Sequence, residues 1–257
     1  MTTGYNNMKH KDIAIRLTNV SKKYIVHHEK PTLVEKLINR KNEEFWALKD
    51  INLEIGVGER IGVIGPNGSG KTTLLKLITG ISTPTSGTVK TSGKIVSLID
   101  LEAGFHQELT GLQNIFLNGM ILGMSQNELK TKLQGIINFA GIGKFIDMPI
   151  FTYSEGMKLR LGFSIAANSN PDIIILDENL AVGDRDFVIK SGKWMDSFIG
   201  SGKVVIIASH NMDLISRICS KAILLENGSI IARGTPSKVI MKYNCLSDYP
   251  RPIRPRL

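Results

Sequence analysis

The sequence predicts an α/β fold with a mainly parallel sheet flanked by helices. Three largely apolar runs alternate with helical patterns, and each run ends in polar residues that can do chemistry. The runs are Ile61–Ile64, Ile173–Leu176 and Lys203–Ala208, and they end at Gly65, Asp177 and His210. Apolar runs of this kind are typical of parallel strands covered on both faces. Because ligands of open α/β sheets bind beyond the carboxyl ends of strands, we expect the three ends to share one site.

The segment after the first run matches G-x-x-x-x-G-K-[ST], the pattern of a phosphate-binding loop. It comprises Gly65, Pro66, Asn67, Gly68, Ser69, Gly70, Lys71 and Thr72. The strand before it and an expected helix from Thr73 to Thr79 supply the structural context of the motif. Glycines let backbone N–H groups turn toward one anion, and the helix N-terminus adds partial positive charge. We predict ATP binding, with Lys71 at the β/γ-phosphates, Thr72 at Mg²⁺ and Thr73 among the nucleotide contacts.

The other two strand ends carry candidate metal and proton-transfer groups. Asp177 is expected to be the second Mg²⁺ partner, because a carboxylate after a buried strand is held rigidly. Glu178 is the candidate base that polarises a water for attack on the γ-phosphate. His210 is a candidate γ-phosphate contact, although it could also be a hydrogen-bonded core histidine. An acidic pair at a strand end could equally be a solvated loop, but the phosphate loop upstream favours the metal and base roles.

Composition restricts the function classes without choosing among them. The 257 residues carry a net charge of +9, which nucleic acid, nucleotide or an anionic membrane surface could each explain. Two cysteines do not make a disulfide framework, so a reducing cytosol is the simplest setting. The first residues are polar, so no signal peptide is predicted. The sequence contains no apolar run of about 18 residues, so no membrane span is predicted either.

The chain around the motifs predicts strands first and helices later. Residues 12–17 alternate as a half-buried strand does, as do Ile51, Leu53 and Ile55, which predicts an antiparallel β subdomain. A basic insertion at 26–44 contains an apolar stripe at helical spacing, which favours a short amphipathic helix used for packing or for a partner.

A helical block follows, and we expect it to form a subdomain over about 100–165. Ser125 and Glu128 fit a capping box, and apolar residues then follow on one helix face from Leu129 to Ala140. Asn227-Gly228 predicts a hairpin, a last helix is expected to run through Tyr243, and the basic tail 247–257 is expected to be flexible. We therefore expect one domain over residues 1–257.

A further motif makes the assignment specific. The pentapeptide Tyr153-Ser154-Glu155-Gly156-Met157 precedes an apolar helix and resembles the L-S-G-G-Q signature of ABC ATPases; its first, third and fifth positions differ. The resemblance extends over about residues 12–240. It implies a P-loop NTPase core and a head-to-tail homodimer, in which each ATP lies between one phosphate loop and the partner's Ser154 and Gly156. It also implies that Asp184 lies in the loop that crosses the dimer seam and that His210 is the switch histidine.

The segments in which the chain departs from the general ABC ATPase pattern resemble those of the ATP-binding subunits of O-antigen, capsule and teichoic-acid exporters. The similar segments are 43–50, 103–111, 153–157 and 177–184. The resemblance implies ATP hydrolysis, two integral membrane permease subunits, a lipid-linked polysaccharide cargo and a place at the cytoplasmic face of the membrane. Some members carry a carboxy-terminal sugar-binding domain, which we expect this chain to lack. No nucleic-acid partner is expected.

Three assignments stay open at this point. Leu101 stands near the place of the family's usual glutamine, so Glu102 or Gln107 is a candidate for the Mg²⁺ and coupling role. Tyr24 is the first candidate to stack on adenine, with Trp46 as the alternative, and either could be core. The remaining functional alternatives are a small-molecule exporter, a soluble nucleic-acid-associated ABC ATPase and a P-loop kinase.

Overall fold

The computed structural model describes residues 12–26, 43–99, 101–177 and 184–247. Three predictions lie outside the described residues: the catalytic role of Glu178, the amphipathic helix of the 26–44 insertion, and the flexible tail beyond Ser247. The described strands and helices follow in chain order.

The strands are β1 (Ile13–Val26), β2 (Glu43–Gly56), β3 (Arg60–Ile64), β4 (Ser86–Thr91), β5 (Ile95–Ser97), β6 (Ile173–Asp177), β7 (Val204–Ala208), β8 (Lys221–Glu226) and β9 (Ser229–Gly234). The helices are α1 (Lys71–Ile78), α2 (Gly111–Ile121), α3 (Gln126–Ala140), α4 (Glu155–Asn168), α5 (Arg185–Gly200), α6 (Met212–Ile218) and α7 (Pro236–Ser247). Within the described ranges, no helix has the length and apolar character needed to cross a membrane.

The larger sheet has the strand order β5-β6-β7-β3-β8-β9. Strands β5 to β8 pair in parallel and β9 joins antiparallel at one edge. Every residue of β7 and four of the five in β6 are buried, because helices and a second sheet cover both faces. The predicted mainly parallel sheet is confirmed.

The smaller sheet has the order β2-β1-β4 and is antiparallel throughout. It shares one apolar core with α1 and one face of the larger sheet, through residues such as Ile15, Leu48, Leu74 and Ile206. Helices α4 to α7 cover the other face of the larger sheet. Helix α1 therefore lies between the two sheets, with the phosphate loop at its N-terminus.

Helices α2, α3 and α4 enclose a separate apolar core. The predicted capping box of α3 is confirmed, since the Ser125 hydroxyl accepts from Glu128 N while the Glu128 carboxylate accepts from Ser125 N. The lowered pKa of Glu128 follows from these hydrogen bonds. Thr110 and Gln113 form an equivalent box on α2 that sequence reasoning did not identify.

The predicted hairpin at Asn227-Gly228 is confirmed, with φ of +50° and +80° at the two turn residues. The turn also braces the phosphate loop. Gly228 N donates to Ser69 O at 3.0 Å, while Gly228 O accepts from Lys49 N at 2.8 Å. The loop is thus held by main-chain bonds from another part of the fold.

Candidate nucleotide-binding site

A cavity of about 280 Å³ opens at the carboxyl ends of β3, β6 and β7. Its described lining consists of Phe45, Ala47, Asn67, Gly68, Gly70, Lys71, Thr72, Thr73, Asp177, Ala208 and His210. The phosphate loop, Asp177 and His210 therefore meet in one place, as the three strand ends predicted. Eight of the predicted site residues that the structure describes do not line this cavity: Tyr24, Gly65, Pro66, Ser69, Glu102, Ser154, Gly156 and Asp184.

The shape of the phosphate loop depends on glycine at two positions. Gly65 has φ +153°, and a Cβ there would lie 2.1 Å from Leu225 O. Gly70 has φ +107°, and a Cβ there would lie 2.5 Å from Ala47 O. Gly70 is also the N-cap of α1 and makes no side-chain capping bond. The first amides of the helix are consequently left for an anion in the cavity.

Two polar side chains of the phosphate loop, Lys71 and Ser69, differ in their surroundings. Lys71 Nζ donates to Gly65 O at 2.7 Å and to Pro66 O at 3.0 Å. The buried hydroxyl of Ser69 has no hydrogen-bond partner within the described ranges. Lys71 lines the cavity and brings a cation to it, so the loop fits a phosphate group. Across the cavity, His210 Nε2 lies 3.0 Å from Asn67 Oδ1.

The metal-binding candidates fit an ion that is held partly by phosphate. Thr72 and Asp177 both line the cavity. Searched over the described parts of the chain, the structure has no group of three or more His, Cys, Asp or Glu side chains suited to a metal. Mg²⁺ is usually bound by one or two carboxylates together with phosphate oxygens and water. One hydroxyl and one carboxylate beside a phosphate loop are sufficient for that mode.

Glu102 lies beside the start of α4. It hydrogen-bonds with Glu155 and interacts electrostatically with Lys158, whose Nζ donates to Glu155 Oε1 at 2.9 Å. The hydrogen bond from Lys158 is the main cause of the lowered pKa of Glu155. Neither Glu102 nor Gln107 is among the described residues that line the cavity, so a metal role for either stays a prediction.

An aromatic residue that sequence reasoning missed lines the cavity. Phe45 is part of its wall, and Tyr24 lies directly opposite Phe45 in the register of β1 and β2. Trp46 instead carries Lys23 Nζ 5.7 Å from its ring centroid. The pairing of β1 and β2 shifts between Lys22 and Lys23, and such irregularities redirect side chains. A simple strand alternation could not have identified Phe45.

The signature segment is folded but lies apart from the cavity. Ser154 is the exposed N-cap of α4, and its hydroxyl accepts from Met157 N at 3.3 Å. Asp184 is the exposed N-cap of α5, and its Oδ1 accepts from Phe187 N at 2.9 Å. Tyr153 is buried before α4 and donates its hydroxyl to Phe145 O at 2.6 Å. Burial raises the pKa of Tyr153 to about 12.

A second, mainly apolar cavity of about 280 Å³ lies between the larger sheet and the helical layer. Leu101, Phe105 and Leu122 line it, together with Ile81 and Ile121, whose side chains are 68% and 65% exposed. Exposed apolar residues around a concave surface are typical of an interaction site. This groove is separate from the phosphate cavity.

A P-loop nucleotide-binding domain is defined by three features together: the parallel sheet, the phosphate loop and the carboxylate of Asp177 at a strand end. Residues 48–181 match the family described as ABC transporter. The chain belongs to the ABC transporter family. The fold agrees, since the structure of an ATP-binding cassette bound to ADP and Pi superposes with a TM-score of 0.67 over 86% of this chain and 98% of that one, at 24% identity.

Several curated relatives are named as ATP-binding proteins of export systems. The chain is 47% identical over 197 residues to an O-antigen export system ATP-binding protein of Myxococcus xanthus, covering 77% of this chain and 45% of that protein. It is 47% identical over 206 residues to a teichoic acids export ATP-binding protein of Lactococcus lactis, covering 80% of this chain and 44% of that protein. It is 38% identical over 237 residues to an O-antigen export system ATP-binding protein of Klebsiella pneumoniae, covering 89% of this chain and 96% of that protein. The chain thus spans less than half of the first two relatives and nearly all of the third.

Proposed function

We propose that this chain is the ATP-binding and ATP-hydrolysing subunit of an ABC exporter for a lipid-linked polysaccharide. The observation that carries the proposal is the 38% identity over 96% of the Klebsiella O-antigen export ATP-binding protein, together with the phosphate cavity. The teichoic-acid relative supports the same cargo class, a polymer assembled on a lipid carrier. These relatives favour polysaccharide export over a small-molecule exporter, a nucleic-acid-associated ATPase or a P-loop kinase.

The roles of the cavity residues follow from their positions and chemistry. Lys71 neutralises charge on the β/γ-phosphates, and the amides of the glycine loop donate to their oxygens. Thr72 and Asp177 would hold Mg²⁺, which offsets phosphate charge when bound. Glu178 polarises the attacking water, and His210 contacts the γ-phosphate opposite Asn67. Phe45 joins Tyr24 and Trp46 as a candidate for stacking on adenine.

The site is completed by a second copy of the chain. Ser154 and Asp184 are exposed helix N-caps that do not line the cavity of their own chain. A helix N-terminus is suited to binding phosphate, and the family resemblance assigns the N-terminus of α4, at Ser154, to the partner's ATP. ATP binding would therefore close a head-to-tail homodimer, and hydrolysis would reopen it.

Two integral permease subunits are the proposed membrane partners. The helical subdomain, about 100–165, would carry the contacts, and the apolar groove around Leu101 and Ile121 suits a short amphipathic helix of the permease. The complex would place this subunit at the cytoplasmic face of the membrane. The described residues form its nucleotide-binding domain.

The proposal is tested by copurification from membranes. The tagged chain, expressed with its neighbouring genes, is purified in detergent and its integral partner is identified. ATP turnover is then measured with and without candidate glycolipids, and Glu178→Gln provides the hydrolysis-deficient control. A lipid-linked polysaccharide that stimulates turnover several-fold supports the proposal. Recovery without any integral partner, or salt-sensitive nucleic-acid binding in its place, refutes it.

A further inference from the structure

One ion pair connects helix α4, which Ser154 caps, to Asp184, the N-cap of α5. Arg160 Nη1 on α4 donates to Asp184 Oδ2 at the start of α5, at 2.6 Å. The two residues are 24 positions apart in the chain. A charge-assisted bond of this length fixes geometry as well as charge.

The carboxylate of Asp184 makes two contacts at once. Oδ1 accepts from Phe187 N at 2.9 Å, which caps α5, while Oδ2 accepts from Arg160. The side chain of Arg160 is 20% exposed and that of Asp184 is 57% exposed, so Arg160 is the better packed partner. Arg160 of α4 therefore contacts the same carboxylate that caps the N-terminus of α5.

Ser154 caps the same helix that carries Arg160. The groups that the dimer proposal assigns to the partner's side of the nucleotide, Ser154 and Asp184, are thus tied to one helix. Such prior alignment favours dimerisation, because less conformational entropy is lost when the second molecule binds.

We propose that Arg160 is a positioning residue that holds the N-termini of α4 and α5 in register, so that one chain presents Ser154 and Asp184 together to the nucleotide of its partner. The inference rests on the proposed homodimer. Arg160 acts through Asp184, and the pairing is made within one chain before the partner arrives.

The expected signature of this role is a loss of dimerisation without a matching loss of folding. Exposed ion pairs contribute little to stability, so we expect Arg160→Gln to shift Tm by less than about 4 °C. Misaligned helix ends would instead weaken the dimer interface. We therefore expect the ATP concentration for half-maximal dimerisation to rise about tenfold.

The test is a double-mutant cycle in a Glu178→Gln background. Arg160→Gln, Asp184→Asn and the double variant are compared by sedimentation across an ATP titration, with nucleotide binding to the monomer measured separately. Asparagine at 184 keeps an oxygen for the α5 cap and removes the ion pair. Arg16→Gln is the matched control, because Arg16 Nε lies 2.8 Å from Glu54 Oε1 in an ion pair of the small sheet.

We expect each single variant to weaken dimerisation about equally, the double variant to be no worse than either, and Arg160→Lys to recover most of the loss. Monomer affinity for ATP and the Arg16→Gln control stay at the parent value. The inference would be overturned, with the homodimer left standing, by normal dimerisation of Arg160→Gln. It would also be overturned if the fold-losses in dimerisation of the two single variants multiplied in the double variant. A Glu178→Gln parent that stays monomeric with ATP overturns the proposed homodimer as well.

Discussion

The phosphate cavity and the signature surface use a helix N-terminus in opposite ways. At α1 the N-cap is Gly70, which makes no side-chain bond, and the preceding loop curves around a cavity. At α4 and α5 the N-caps are Ser154 and Asp184, and each side chain accepts from one amide of its first turn, Met157 N and Phe187 N respectively. The first terminus is open and concave, and the other two are capped and exposed.

In the proposed homodimer, this difference separates the half of the site that one chain supplies from the half that its partner supplies. The cavity groups Lys71, Asp177 and His210 around a loop that is fixed by buried main-chain contacts. Ser154, Gly156 and Asp184, which form the signature surface, do not line the phosphate cavity of their own chain, and the proposed homodimer brings them to the nucleotide of the partner. Changes in the first half should therefore affect nucleotide binding, and changes in the second should affect turnover.

The largest expected effect is that of Lys71→Ala. Removing the cation that we propose faces the β/γ-phosphates should lower turnover by about 10²- to 10³-fold and weaken ATP binding to the monomer. Steady-state hydrolysis and equilibrium titration with a fluorescent nucleotide measure both. Lys76→Ala, on the exposed side of α1, is the charge-matched control and should behave like the parent. Equal losses in both variants would contradict a specific role for Lys71.

Next in size is a pair of glycine substitutions within the loop. Gly70→Ala would bring a Cβ to 2.5 Å from Ala47 O, whereas Gly68, at φ +75°, has open space around its Cβ position. We expect ATP affinity to fall about 100-fold in Gly70→Ala and about tenfold or less in Gly68→Ala, where only the dihedral cost of 1–2 kcal/mol or so applies. If the two variants bind alike, the close approach to Ala47 does not control the loop.

A smaller effect is expected from Ser154→Ala on the other half. Loss of the cap should cost about 1 kcal/mol of stability, and turnover should fall about tenfold. The monomer should bind ATP with parental affinity, which separates this variant from the loop variants. Ser154→Thr keeps a capping hydroxyl and should recover most of the turnover. Weakened nucleotide binding to the monomer would contradict this account, because it would place Ser154 at the phosphate cavity of its own chain.

Tyr153→Phe should have the smallest effect, and it concerns folding alone. It removes the hydrogen bond to Phe145 O and should cost about 1 kcal/mol, with turnover unchanged. The folded-state pKa of about 12 exceeds the ordinary 10.0, so the hydroxyl's stabilising contribution is complete below pH 10.0 and is lost as pH rises through 12. Tyr153→Phe should therefore lose less stability over that interval, as urea melts at each pH would show. Tyr24→Phe, at an exposed tyrosine, is the control; an identical alkaline decline in all three proteins would refute the assignment.

The sequence predicted those parts of the site that depend on local pattern. The phosphate loop, Asp177 and His210 all follow buried strands, so their convergence follows from the fold class. The place of Phe45 depends on the irregular pairing of β1 and β2, and the role proposed for Arg160 depends on a contact with Asp184, 24 positions away. Neither contact has a local signature. Thr110 and Gln113 did have one, a capping box at the expected spacing, and it was overlooked.

Cross-linking between chains tests the shared site most directly. In a Glu178→Gln, Cys245→Ser background, chains with Asn67→Cys are mixed with chains with Glu155→Cys; both positions are exposed, and the remaining Cys219 is buried with its pKa raised to about 12. We predict that ATP induces a disulfide between the two kinds of chain and that omitting ATP abolishes it. A bond that forms only when one chain carries both cysteines, or no bond with ATP present, would contradict a site built from two copies.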